Sequence, residues 1–174
     1  TLKIFTRMYD YIIELANKKN VLAYLYGLSF IESFIFPIPP DVLLAPIALT
    51  KKYNWIKLAL NTTLFSVFGG LVGYIIGLYL FEISILSDLV DEEVFMSVKN
   101  LFIDNGVWII IIAGFTPLPY KVFTVTAGYM SLAILPFIIS SFIGRGVRFF
   151  LVAAIFHHFG LDLANRMKKY LEYI

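Results

Sequence analysis

Two proline-rich breaks, Pro37-Ile38-Pro39-Pro40-Asp41-Val42 and Pro117-Leu118-Pro119-Tyr120-Lys121-Val122, each interrupt a long apolar stretch of this chain near its middle. Proline removes a backbone donor and obstructs the helix around it, so neither stretch can run as one straight helix. The breaks echo each other. The second begins at 117 where the first begins at 37, a separation of 80 residues, and Ala48-Leu49 after the first corresponds to Gly128-Tyr129 after the second. One matched position carries opposite charges, Asp41 and Lys121. Interrupted hydrophobic segments at corresponding places of two related halves point to a transport site near the midplane of a bilayer.

Composition identifies the solvent. With 60% hydrophobic and 17% aromatic residues and a mean hydropathy of +0.84, a chain of 174 residues holds more apolar surface than a soluble fold could bury. It reads as one integral membrane domain. The net charge of +2 supports no nucleic-acid partner, because the charges are sorted by position rather than pooled. Without cysteine there is no disulfide framework, thiolate metal site or cysteine nucleophile, and no metal or cofactor is expected. Residues 1–20 alternate Leu2, Ile4, Phe5, Met8, Ile12, Ile13 and Leu15 with Lys3, Arg7, Asp10, Glu14, Lys18 and Lys19. That pattern suits an interfacial amphipathic helix better than a cleavable leader.

Four apolar stretches follow, at 21–50, 55–81, 106–133 and 134–160. Lys18-Lys19 precede the first and Lys51-Lys52 with Lys57 follow it, so a crossing there would put basic clusters on both faces, against the positive-inside rule. A re-entrant hairpin over 21–50 keeps both clusters cytoplasmic. Its second leg would reach only about 15 Å at about 1.5 Å per residue, half of a roughly 30 Å hydrocarbon core. The stretch 55–81 is long enough to span and leads to Glu82, Asp88, Asp91, Glu92, Glu93 and Asp104, which then lie outside. Residues 83–103 keep helical apolar spacing and are expected as an outer interfacial helix. The basic tail 161–174, with Arg166, Lys168 and Lys169, belongs on an anionic cytoplasmic leaflet. To return there, the chain spans at 134–160 and forms a second re-entrant hairpin at 106–133. The expected fold is an all-α integral membrane protein, an inverted repeat of two re-entrant hairpins and two spanning helices plus interfacial helices.

The hairpin tips, Pro37, Pro39, Pro40, Pro117 and Pro119, expose backbone that lipid cannot satisfy and should line a polar crevice. Gly69, Gly70, Gly73 and Gly77 on one span and Ser140, Ser141, Gly144 and Gly146 on the other allow close helix approach, within one chain or between copies, so a homo-oligomer stays open. Five ionisable residues fall inside the apolar stretches: Glu32, Asp41, Lys121, Arg145 and Arg148. Each would cost roughly 2.5–3.5 kcal/mol alone at a membrane centre, so they should pair, line a hydrated cavity, or both. Arg145 and Arg148, three apart on one helix face, can pair with Glu32 and Asp41 and leave a cation for an anionic headgroup. These five are the candidate substrate and proton residues, weighed against purely structural pairing. His157-His158 read as interfacial histidines, and Trp55, Trp108, Tyr53 and Tyr129 as an aromatic belt. No nucleophile and base stand at a readable spacing, so no enzyme is expected.

The run Phe30-Ile31-Glu32-Ser33-Phe34 to Pro37-Ile38-Pro39-Pro40-Asp41, the glycines Gly69-Gly70, Gly73-Tyr74 and Gly77, and Gly114-Phe115-Thr116-Pro117 to Ala127-Gly128, followed by Gly144-Arg145, resemble the DedA family. This is the bacterial branch of the VTT-domain or SNARE-associated membrane proteins, and the likeness is best to a short subgroup. The resemblance implies two opposed re-entrant hairpins and movement of lipids between leaflets, either phospholipid or polyprenyl phosphate. It maps the family's acidic residues onto Glu32 and Asp41, and its second-hairpin phenylalanine and proline onto Phe115 and Pro117. Where the better-studied branch has arginines on either side of that motif, this chain has Gly114 and Tyr120, with Lys121 beside the second. The expectation is a flippase or scramblase, multi-pass in a bacterial cytoplasmic membrane, with membrane lipids of anionic or zwitterionic headgroup and protons as partners. The alternative is a proton- or ion-coupled carrier of a small soluble solute.

Overall fold

A computed structural model of the chain describes residue 14 and residues 18–35, 38–80, 92–116 and 118–172, with side chains described as far as Gly160. The interfacial helix expected over 1–20, the acids Glu82, Asp88 and Asp91, and the tip residues Pro37 and Pro117 lie almost wholly outside that set. Regular structure among the described residues is all helical: α1 (Val21–Glu32), α2 (Asp41–Leu49), α3 (Trp55–Leu80), α4 (Glu92–Asn105), α5 (Trp108–Phe115), α6 (Tyr120–Tyr129) and α7 (Ile134–Glu172).

The proline clusters set the breaks. After α1, Ser33–Ile35 close a last turn with Ile35 N–H donating to Ile31 O at 2.9 Å, and α2 restarts directly behind Pro40. After α5, Thr116 is extended at φ −82°, ψ 164°, the backbone expected of a residue that precedes proline, and α6 restarts behind Pro119. The echo seen in the sequence persists in the backbone. The second legs α2 and α6 both end in a left-handed residue, Lys51 at φ 55° and Ser131 at φ 52°, again 80 positions apart.

Packing exchanges the legs of the two breaks. α1 lies on α3 and α5 on α7, while the second legs cross over, α2 onto α7 and α6 onto α3; α3 and α7 also pack on each other. Glycines permit the closest of these approaches. A Cβ on Gly69 would overlap the Phe30 carbonyl, and Gly77 and Gly128 face each other's helix backbones in the same way. Gly114 and Gly144 do so between α5 and α7. Two apolar cores result, one around Leu25, Ile47, Leu58 and Phe149, the other around Tyr74, Phe102, Phe123 and Phe137. On α3 and α7 the segments feeding these cores are separated by Ser66 and by Ser141 and Arg145, so a polar layer lies between them.

Two helical stretches, Trp55–Tyr79 and Ile134–Gly160, are long and apolar enough to cross a membrane. Their outward residues, among them Phe68, Ile75, Leu135 and Phe159, are exposed large hydrophobics, as lipid-facing positions require. One boundary differs from the expectation. The segments 134–160 and 161–174 were expected as separate elements, yet α7 runs through Gly160 to Glu172, where neither a proline nor a positive φ stops it. Within the described part of the outer helix expected over 83–103, α4 packs on α5 and α6 and buries Phe95, Val98 and Phe102.

Candidate functional site

The polar layer is built around Arg145, the largest fully buried side chain among the described residues, only 2% exposed. Its Nη2 forms an ion pair with Glu32 Oε2, and its Nε donates to Ser66 Oγ at 2.7 Å. The guanidinium carbon lies 4.8 Å from the Tyr120 ring and 4.7 Å from the Phe149 ring, so two aromatic rings add cation–π contacts. A hydroxyl chain continues from it. Ser33 Oγ donates to Ser29 O at 2.9 Å, which commits its only hydrogen. Ser66, 2.9 Å from Ser33 Oγ, is therefore the donor of that contact and accepts from Arg145 with its lone pairs. Ser29 Oγ in turn donates to Thr62 O at 2.8 Å. The buried charge is thus met by an opposite charge, a hydroxyl acceptor and two rings, as burial of an ion demands.

One helical turn along α7, Arg148 joins the two breaks. Its Nε and Nη2 both donate to Asp41 Oδ2, at 3.0 and 2.5 Å, and its Nη1 donates to Thr116 O at 2.7 Å. Asp41 Oδ1 is buried with no partner. The Thr116 carbonyl needs an outside donor because α5 ends there and the prolines that follow supply no N–H. The opposite break is met from the other side: Lys121 Nζ donates to Ile35 O at 3.3 Å, and Thr124 Oγ1 shares its one hydrogen between Lys121 O of its own helix at 2.9 Å and Ser33 O at 3.1 Å, the Ile35 and Ser33 carbonyls both lying at the end of α1. Each break is capped by side chains whose partners lie beyond it.

All five ionisable residues singled out in the sequence converge here, as two ion pairs and a lysine bound to a carbonyl. The pairs differ in access. Glu32–Arg145 is sealed, with side chains 11% and 2% exposed, whereas Asp41 and Arg148 keep 20% and 17%. Along the chain beside Asp41 and Thr116, the two groups that Arg148 holds, Ile38, Val42, Phe115 and Leu118 are exposed apolar side chains, and Pro39 and Pro119 are exposed while Pro40 is buried. Sequence reasoning missed Ser66, Thr116, Thr124 and Tyr120. Ser66 was within reach, since Ser66, Gly69, Gly70 and Gly73 share one face of a helix. The rings of His157 and His158 lie 5.1 Å apart, and both meet Trp55.

Long apolar helices wrapped around a paired, cross-capped polar layer define a helical membrane protein with its polar business in the interior rather than on its surface. The chain belongs to the VTT-domain family, the DedA or SNARE-associated group of membrane proteins, whose domain it matches over residues 38–158. Asp41, Lys121, Arg145 and Arg148 fall within the match and Glu32 just before it. A protein of Haemophilus influenzae is 38% identical, the alignment covering 99% of this chain and 91% of that one. A protein of Histophilus somni is 36% identical, covering 99% and 92%. Both are named only as uncharacterised proteins. No solved structure matches the chain.

Proposed function

We propose that this protein moves a phosphate-bearing membrane lipid between leaflets of a bacterial cytoplasmic membrane, as a flippase or scramblase. In this reading α1–α2 and α5–α6 are re-entrant hairpins entering from opposite faces, α3 and α7 span, and the ends bearing Lys51, Lys52 and Lys57 are cytoplasmic. The exchange of legs between the long helices and the matched left-handed residues at 51 and 131 support that inverted arrangement.

The observation that carries the function is the Asp41–Arg148 pair, part-exposed and bordered by exposed apolar residues of both breaks. A lipid needs such a setting: charged partners for its headgroup beside apolar surface along which its acyl chains can stay in the bilayer. Glu32–Arg145, sealed behind it, is the support that holds α1 to α7. Arg148 and Lys121 are the headgroup contacts, and Asp41 is the counter-ion of Arg148 and the candidate proton carrier.

The test is exchange of fluorescent phospholipid and labelled polyprenyl phosphate across proteoliposome membranes, comparing wild type with Asp41→Asn and Arg148→Gln, with and without a pH gradient. Exchange that falls in both variants supports translocation, and a response to the gradient assigns proton coupling. Should folded protein move no lipid under either condition, the reading fails and a carrier of a small soluble solute takes its place.

A further inference from the structure

We infer that the headgroup this site takes is a phosphodiester carrying a single negative charge, in preference to a phosphomonoester such as a polyprenyl phosphate. The inference rests on the proposed lipid translocation and chooses within it.

The charges of the polar layer are already largely spent on one another. Arg145 is held by Glu32 and Ser66 at its edge and by Tyr120 and Phe149 on its faces, so it offers little to a ligand. Arg148 gives two donors to Asp41 and a third to the Thr116 carbonyl. Among the described residues Lys121 has no carboxylate within ion-pair distance, only the carbonyl of Ile35 at 3.3 Å. Three cations against two carboxylates leave one net positive charge, located on that lysine. A phosphodiester, with one negative charge, balances it. A phosphomonoester carries about −1.5 to −2 at neutral pH, its second ionisation lying near pH 6, and would bring a second negative charge for which the layer holds no free cation. Lysine suits the task by its geometry too: a point charge on a flexible stem, it does not enforce the two-pronged grip that arginine makes on a terminal phosphate.

The experiment measures leaflet exchange of a fluorescent phosphatidylglycerol and a labelled polyprenyl monophosphate in proteoliposomes at pH 7.5 and 5.5, for wild type, Lys121→Gln and Lys121→Arg. At pH 7.5 the diester should exchange about tenfold faster, equivalent to roughly 1.4 kcal/mol of selectivity. At pH 5.5, where the monoester is mostly a monoanion, its rate relative to the diester should rise. Lys121→Gln should slow the diester and erase the preference, and Lys121→Arg should restore the lost rate. Equal rates at pH 7.5, or a preference untouched in Lys121→Gln, overturn the selectivity while leaving lipid translocation standing. Movement of neither lipid by folded protein removes both.

Discussion

Removing Glu32 should destabilise the protein far more than removing Asp41, although each is one carboxylate paired with one arginine of α7. Glu32→Met leaves the Arg145 guanidinium 2% exposed and without a counter-ion. Breaking a buried pair from one side typically costs about 3–5 kcal/mol. Arg145 would keep Ser66 and two ring faces, each of the latter contributing about 0.5–2 kcal/mol in wild type and mutant alike, which puts the expected loss at the lower end, near 3 kcal/mol. Arg145→Met strands Glu32 instead, and that residue can relieve itself by taking a proton. In Glu32→Met/Arg145→Met both charges are gone and two apolar side chains of similar length fill the space, so the double variant should lie within about 1–2 kcal/mol of wild type. Asp41→Asn, at a pair 17–20% exposed, should cost no more than about 1 kcal/mol. The assay is equilibrium unfolding in mixed detergent micelles across this set. Two outcomes would sink the reasoning: a Glu32→Met loss below about 1 kcal/mol, or a double variant as damaged as the two single losses added together.

Three further outcomes are expected. Ser66→Ala removes the acceptor of Arg145 Nε and the donor to Ser33, and should cost about 1–3 kcal/mol in the same unfolding assay, the penalty of a buried donor left unsatisfied. Gly69→Ala drives a methyl into the Phe30 carbonyl and should lose about 1–3 kcal/mol by displacing α1. Gly27→Ala meets no atom within 4 Å and should be neutral or stabilising by up to about 1 kcal/mol, so equal losses at the two sites would contradict the close-approach role. Because the chain has no cysteine, Lys52→Cys and Asp104→Cys, both at exposed positions, can be labelled cleanly in intact cells and inverted vesicles with a membrane-impermeant maleimide. Opposite sidedness is expected, and labelling of both from one face would refute the proposed topology.

The large divisions of the fold were legible because proline and hydropathy act locally. The first long helix, expected over 55–81, is Trp55–Leu80, and the breaks fall at the two proline clusters. The pairing of Arg145 and Arg148 with Glu32 and Asp41 was also within reach, since a three-residue spacing puts both arginines on one helix face. What escaped is non-local. The acceptors at Thr116, Ser33 and Ile35 are backbone carbonyls, which any residue type carries, so no side-chain pattern announces them. The burial of α4 against α5 and α6 was hidden because Phe95, Val98 and Phe102 have the same spacing on a helix lying at an interface as on one closing a core.

The opposite charges at matched positions 41 and 121 have a common physical explanation in those carbonyls. A helix broken inside a membrane leaves carbonyls with neither an intrahelical donor nor water, and only another part of the protein can satisfy them. At the end of α1 the donor is Lys121 itself, reaching from the opposite break to Ile35 O. At the end of α5 the donor is Arg148, a residue of α7, and Asp41 serves by holding two of its nitrogens so that the third faces Thr116 O. A lysine that caps directly and an aspartate that orients an arginine to cap are two solutions to one problem. The two solutions differ in electrostatics, because the first leaves its charge uncompensated and the second cancels it. Any anion attracted into the layer is therefore drawn to the Lys121 side, and its arrival competes with the contact that closes the end of α1. In the proposed translocation, binding a headgroup and loosening one break from the other would then be the same event, which is the coupling such a path requires.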